Sequence, residues 1–182
     1  MATVEDTLVD ELYRTPEKAE IVHGRIVIMS PASDEHGQSS LEITVSLREY
    51  ARRTGIGRAV GDNVGFLCNL PHRKSFSPDA AYYTGPRGKR KFYPQAPDFA
   101  VEIRSDDDYG PAGEREMAEK RTDYFAAGTK VVWDVDLRSD DVVRVYRAID
   151  PDQPTIYLRG QQAEAEPAVP GWTMPVDALF DE

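Results

Sequence analysis

Pro97-Asp98-Phe99-Ala100-Val101-Glu102-Ile103-Arg104-Ser105 is the stretch on which the fold turns. Phe99, Ala100, Val101 and Ile103 make a short apolar run bounded by proline ahead and serine-aspartate behind, the pattern of a well-buried strand. Upstream, Ser77-Pro78-Asp79 opens a second run, Asp79-Ala80-Ala81-Tyr82-Tyr83. Downstream, a helical pattern from about Gly113 to Ala127, ended by Gly128, leads to a third strand, Lys130 to Val135. Strands outnumber helices, and a helix bridges two strands late in the chain. Those features predict an α/β (α+β) architecture, a mixed β-sheet flanked by helices.

The rest of the chain fits around that centre. Glu5 to Tyr13 reads as a short amphipathic helix, with Leu8, Val9 and Leu12 on one side and Pro16 ending it. Ala19–Val22 and Arg25–Met29 read as strands joined by a tight His23-Gly24 turn. Ser33 or Asp34 caps a helix running to about Arg53, with Leu41, Val45, Leu47 and Tyr50 as its apolar positions and Thr54-Gly55 closing it. Ala59-Val60, Val64–Cys68, Val142–Arg147 and Thr155–Leu158 are further short strands, followed by a proline-rich tail. The expected organisation is one domain over residues 1–182, with a core at about 19–148 and a C-terminal tail at 149–182.

Composition narrows the function classes. The formal net charge of −10 argues against coating nucleic acid non-specifically, which runs on phosphate neutralisation. From Arg48 to Lys91, however, ten Lys or Arg face only Glu49, Asp62 and Asp79. A basic segment in an acidic protein can hold a polyanion at one place; a solvated basic surface is the other reading. No apolar run approaches the ~20 residues of a membrane span. The acidic start, Met1 to Asp6, lacks the layout of a signal peptide. Cys68 is alone, which leaves no intrachain disulfide and no thiolate cluster. The expectation is a soluble cytoplasmic protein.

Chemistry concentrates on the central strand. Glu102 sits at its end, where burying a charge costs energy unless the charge binds something. Asp98 precedes Glu102 by four residues, about 13 Å along a strand, so the two cannot share a cation. Asp79 opens a strand that Glu102's strand closes beside, if the two are antiparallel neighbours. Asp79 and Glu102 then converge, and Asp98 is left as a strand-start residue satisfying backbone groups. Two carboxylates, with the carbonyl of Ile103, suit Mg²⁺ or Mn²⁺, which take oxygen ligands and substrate phosphate. Met117, Lys120, Tyr124 and Ala127 form one helical stripe, and a lysine there needs a carboxylate partner or a route to solvent. Two carboxylates and a lysine are the working parts of a metal-dependent phosphodiesterase. Asp106-Asp107-Asp108 reads as an exposed turn ahead of a helix. Arg87-Gly88-Lys89-Arg90-Lys91-Phe92-Tyr93 mixes cations with aromatics and could touch a phosphate backbone, about 17 Å from the metal position.

Taken in order, these pieces resemble the Uma-two family of putative restriction endonucleases, within the PD-(D/E)XK nuclease superfamily. The resemblance runs from Glu20 to Phe180. It rests on Glu20-Ile21-Val22-His23-Gly24-Arg25-Ile26-Val27, Met29-Ser30-Pro31, His36, Pro78-Asp79, the central strand, Lys120 to Tyr124, Gly128, Val132 to Asp136 and Pro170-Gly171-Trp172. It implies a restriction-endonuclease-like core with Asp79 and Glu102 as metal ligands. In the superfamily a lysine stands two residues after the glutamate; here that position is Arg104, which stays protonated and makes a poor base. The family's helical lysine is matched by Lys120. Glu20 and His36 also match, Glu20 as a second metal ligand or a hairpin anchor, His36 as a phosphate- or water-positioning group or a cap-region residue. A Mg²⁺-dependent DNA endonuclease, acting as a possible homodimer, is the leading expectation. The alternatives are a catalytically inactive module that binds nucleic acid or a protein, and a carboxylate-based glycosidase.

Overall fold

The structure, a computed structural model, describes residues 4–89 and 91–180. In chain order, α1 (Val4–Leu12) is followed by a hairpin of β1 (Ala19–Val22) and β2 (Arg25–Ile28). His23 and Gly24 both take positive φ, 50° and 70°, the combination a two-residue turn of this hand requires. Then come α2 (Asp34–Thr54), β3 (Arg58–Val60), β4 (Phe66–Leu67), β5 (Ser75–Phe76), β6 (Ala80–Tyr83) and β7 (Phe99–Ile103). A 3-10 turn at Asp106–Asp108 leads into α3 (Gly110–Ala126). The chain continues through β8 (Val131–Val135), β9 (Val143–Arg147), β10 (Asp150–Tyr157), β11 (Gln162–Glu164) and β12 (Thr173–Pro175), ending in a turn at Val176–Leu179.

The main sheet has six strands in the order β10-β9-β8-β7-β6-β3. Its one parallel pair is β7 with β8, joined by α3 as the crossover; the other pairs are antiparallel. The strand alternation sorts the core onto two faces. Tyr82, Phe99, Val101 and Trp133 point to one face, where α2 contributes Ile43 and Leu47. Tyr83, Ala100 and Val132 point to the other, covered by Phe66 and Phe76 of the β4–β5 hairpin and Tyr124 of α3. The mixed sheet with flanking helices is therefore the architecture expected from the sequence.

Three segments differ from expectation. In α2, Leu41 and Val45 are 54% and 40% exposed, and the buried stripe is His36, Ser39, Ser40, Ile43, Leu47 and Tyr50. The buried serines are not left unsatisfied: Ser39 donates to Leu179 O and Ser40 to Asp79 O, at 2.7 and 2.6 Å. Small hydroxyls thus set this end of the helix close against the sheet. The second difference is β10, which begins at Asp150 and includes Pro151 and Pro154. An edge strand tolerates prolines because its outer N–H groups have no ladder to complete. Third, the proline-rich tail is built into the core. Trp172 packs with its ring centroid 5.2 Å from Trp133, and Ala163, Val169, Met174 and Leu179 are buried beside it.

Candidate active site

The register of β6 and β7 assembles the site. Ala80 pairs with Val101, so one step further Asp79 stands opposite Glu102. Residues opposed in an antiparallel pair share a face, with Cβ atoms about 5 Å apart. Asp79 N donates to Val101 O at 3.0 Å, and Ile103 N donates to Asp79 Oδ2 at 2.7 Å. Backbone on both sides therefore fixes the carboxylate, which is only 4% exposed. Glu102 lies on the α3-covered face. The Tyr124 hydroxyl donates to its Oε1 at 2.6 Å, and Lys120, one turn earlier, donates to Oε2 at 2.8 Å. Asp79, Glu102 and Lys120 are brought together as their sequence positions suggested.

Glu20 and His36 join them. Glu20 Oε1 accepts from Ser77 N at 2.7 Å and lies 2.9 Å from Lys120 Nζ, while Oε2 accepts from Arg73. It ties the first hairpin to the strand ahead of Asp79 and shares Lys120 with Glu102. His36 Nε2 is 3.1 Å from Asp79 Oδ1, and its buried Nδ1 has no partner among the described residues.

Arg104 goes elsewhere. It makes two bonds to Asp134, at 2.7 and 2.8 Å, and pairs with Glu114. The side chain two residues beyond Glu102 is therefore spent on a structural ion cluster. Asp98 accepts from Thr84 N and Oγ1 and from Lys130, a strand-start clip. The acidic turn is capped by its own Asp108, which bonds Ser105 N and Oγ.

Arg87, Lys89 and Lys91 are exposed beyond the far end of β6, and Arg90 lies outside the described residues. The aromatics of that loop pack against the protein. Phe92 occupies space that a Cβ on Gly65 would enter to within 2.6 Å, and Tyr93 stacks on Phe66.

Lys18, Tyr124 and Arg73 complete the site and were not singled out by sequence reasoning. Lys18 Nζ is 2.6 Å from Asp79 Oδ1. Arg73 links Glu20 to Asp123, which in turn meets His72 at 2.7 Å near the surface. Tyr124 carried a signal, its place four residues after Lys120 on one stripe, but an aromatic there also reads as core. Lys18 and Arg73 carried none.

Burial opposes charge on each of these carboxylates. At Asp79 the bond from His36 and the charge of Lys18 outweigh it and hold the carboxyl well below the usual range. At Glu20 the charges of Lys120 and Arg73 likewise prevail over burial and lower the carboxyl from its ordinary value. At Glu102 burial prevails over the attraction of Lys120, with repulsion from Asp79 and Glu20 added, and the carboxyl is pushed up to about 7. Burial alone would lower Lys120, yet Glu102 and Glu20 raise it above its ordinary value, so it is an ammonium. Burial and the same carboxylates raise the Tyr124 hydroxyl, which stays a donor. Glu102 is thus the carboxylate most in need of positive charge.

A divalent cation of the Mg²⁺ type takes oxygen ligands and commonly one or two carboxylates. Asp79 and Glu102, hard oxygen donors on one face of adjacent strands, fit that demand. No group of three or more His, Cys, Asp or Glu side chains is arranged to hold a metal among the described residues. Further ligand positions would fall to backbone, water and substrate.

The fold is shared with a solved structure described as a putative nuclease belonging to DUF820 from Anabaena variabilis. The two are 19% identical, with a TM-score of 0.72 over 94% of this chain and 96% of that one. The family model Uma2, described as "Putative restriction endonuclease", matches residues 7–177, and the chain belongs to that family. No curated protein matches the chain. No helix among the described residues is long and apolar enough to cross a membrane.

Proposed function

We propose that the protein is a cytoplasmic Mg²⁺- or Mn²⁺-dependent endonuclease that hydrolyses phosphodiester bonds in DNA, as a homodimer where both strands are cut. The observation that carries this reading is the meeting of Asp79, Glu102 and Lys120 on one sheet face in a member of a nuclease family. Asp79 and Glu102 would hold the ion, which supplies positive charge against the phosphate and acidifies water when bound. Lys120, kept protonated between Glu102 and Glu20, positions the attacking water and offsets negative charge developing on the phosphate. Tyr124 orients Glu102, and Glu20 orients Lys120. His36, with Nε2 3.1 Å from Asp79 Oδ1, orients the Asp79 carboxylate. Arg104, engaged with Asp134 and Glu114, takes no part. The exposed Arg87, Lys89 and Lys91, with Arg90, give the duplex backbone a weak second contact.

Nicking of supercoiled plasmid with Mg²⁺ or Mn²⁺, against EDTA, tests the proposal. Metal-dependent cutting by the wild type that is lost in Glu102→Ala and in Lys120→Ala is the expected result. Cutting that survives Glu102→Ala would overturn it. A second reading, an inactive nucleic-acid- or protein-binding module, is favoured by one feature: the oxygens of Asp79 and Glu102 already have side-chain or backbone partners. Neither cutting nor Mn²⁺ binding by the wild type would select it.

A further inference from the structure

Lys18 immediately precedes β1, and its ammonium is shared between two aspartates. Nζ lies 2.6 Å from Asp79 Oδ1 and 2.6 Å from Asp62 Oδ1. The two partners differ in kind: the Asp79 side chain is 5% exposed and that of Asp62 41%. Asp79 Oδ2 accepts from the Ile103 N–H, a fixed backbone bond of the strand pair, whereas Oδ1 is held by side chains, which can move. Lys18 and His36 stand on it. An ammonium and a divalent ion cannot share that oxygen at contact. Two like charges at contact distance repel strongly even in a surface-like dielectric.

Resting on the reading that Asp79 holds a divalent cation, we propose that Lys18 is a built-in counter-cation of the site. It neutralises buried Asp79 when no metal is bound, and yields Oδ1 by moving wholly onto Asp62 when metal arrives. A buried carboxylate stripped of its partner is costly, which explains why the resting site carries its own cation. Asp62 keeps the displaced ammonium paired at a half-exposed position, where such a pair is worth little and holds the lysine loosely. The flexible four-carbon stem of lysine suits the exchange; arginine, with a planar two-pronged grip, does not.

Mn²⁺ titration followed by electron paramagnetic resonance tests the exchange in the full chain. Lys18→Met is expected to bind Mn²⁺ on the order of tenfold more tightly than wild type. Lys18→Arg, which preserves the buried ion pair and hence the fold, is expected to bind severalfold more weakly. Asp62→Asn is expected to weaken binding severalfold in the wild type and to have little effect on top of Lys18→Met, because the two residues act through one exchange. Unchanged or weaker binding by Lys18→Met, or an Asp62→Asn effect of equal size in both backgrounds, would overturn the role of Lys18. If the wild type binds Mn²⁺ and Glu102→Gln does not, such a failure touches Lys18 alone. Absence of Mn²⁺ binding in every variant would overturn the metal reading and the exchange together.

Discussion

Two Pro-Asp pairs, Pro78-Asp79 and Pro97-Asp98, precede two neighbouring strands, and their surroundings set them to different tasks. Because β6 and β7 are antiparallel, the two aspartates sit at opposite ends of the pair. Asp98 faces two donors of Thr84 and one half-exposed lysine, Lys130 at 2.9 Å. It clips the end of β6 to the starts of β7 and β8 and is satisfied by that. Asp79 faces Glu102 across the strand pair, with Lys18, His36, Lys120 and Glu20 gathered around the two. The same dipeptide is a strand clip in one place and part of a buried, charge-dense cluster in the other. What differs is whether the neighbouring strand brings a second carboxylate to the same face.

The sharpest way to break the comparison is to exchange the lysines that serve the two ends. Lys120→Ala is expected to lower metal-dependent plasmid cutting by on the order of a hundredfold or more, while Lys130→Ala leaves it unchanged. Equal losses would mean that both ends contribute to one site.

A smaller effect belongs to the clip. Burial opposes its charge, but Lys130 and Thr84 hold the Asp98 carboxyl below its ordinary value of 3.8. A depressed carboxylate contributes stability that is present above the unfolded value and lost as pH falls through the folded one. Wild type should exceed Asp98→Asn by about 1 kcal/mol at pH 7, a figure discounted for the exposure of Lys130. Urea midpoints should converge as pH drops below 3.8. A gap that stays constant with pH would contradict the ionic origin of the clip.

A change of similar size is Tyr124→Phe, which removes one bond to Glu102 and keeps the ring stacked on Phe76, 4.1 Å between centroids. The loss in cutting should be about fivefold, the equivalent of one ordinary hydrogen bond. A loss as large as that of Lys120→Ala would instead place the hydroxyl in direct contact with substrate.

Much of this was legible before any coordinates. Apolar runs at Phe99–Ile103 and Ala80–Tyr83 marked the strands, and antiparallel pairing then made Asp79 and Glu102 neighbours and Asp98 a bystander. Ser33 and Gly55 marked the ends of α2, and His23-Gly24 marked the first hairpin. Three things were not legible, each for a physical reason. Long-range ion pairs leave no periodic trace: Lys18 lies 61 residues from Asp79, and Arg73 lies 53 from Glu20. The buried face of α2 is set at its first turns by serines bonded to backbone, which a search for large apolar side chains passes over. The tail reaches the core through scattered small residues and Trp172, with too short a run between prolines to show a strand period.

The most direct test compares the two aspartates themselves, by Mn²⁺-dependent nicking of supercoiled plasmid with Asp79→Asn and Asp98→Asn side by side. Asp79→Asn should be inactive, and Asp98→Asn should cut at close to the wild-type rate at neutral pH. Cutting retained by Asp79→Asn, or abolished by Asp98→Asn in a folded protein, would contradict the assignment of the site to the Glu102 end of the strand pair.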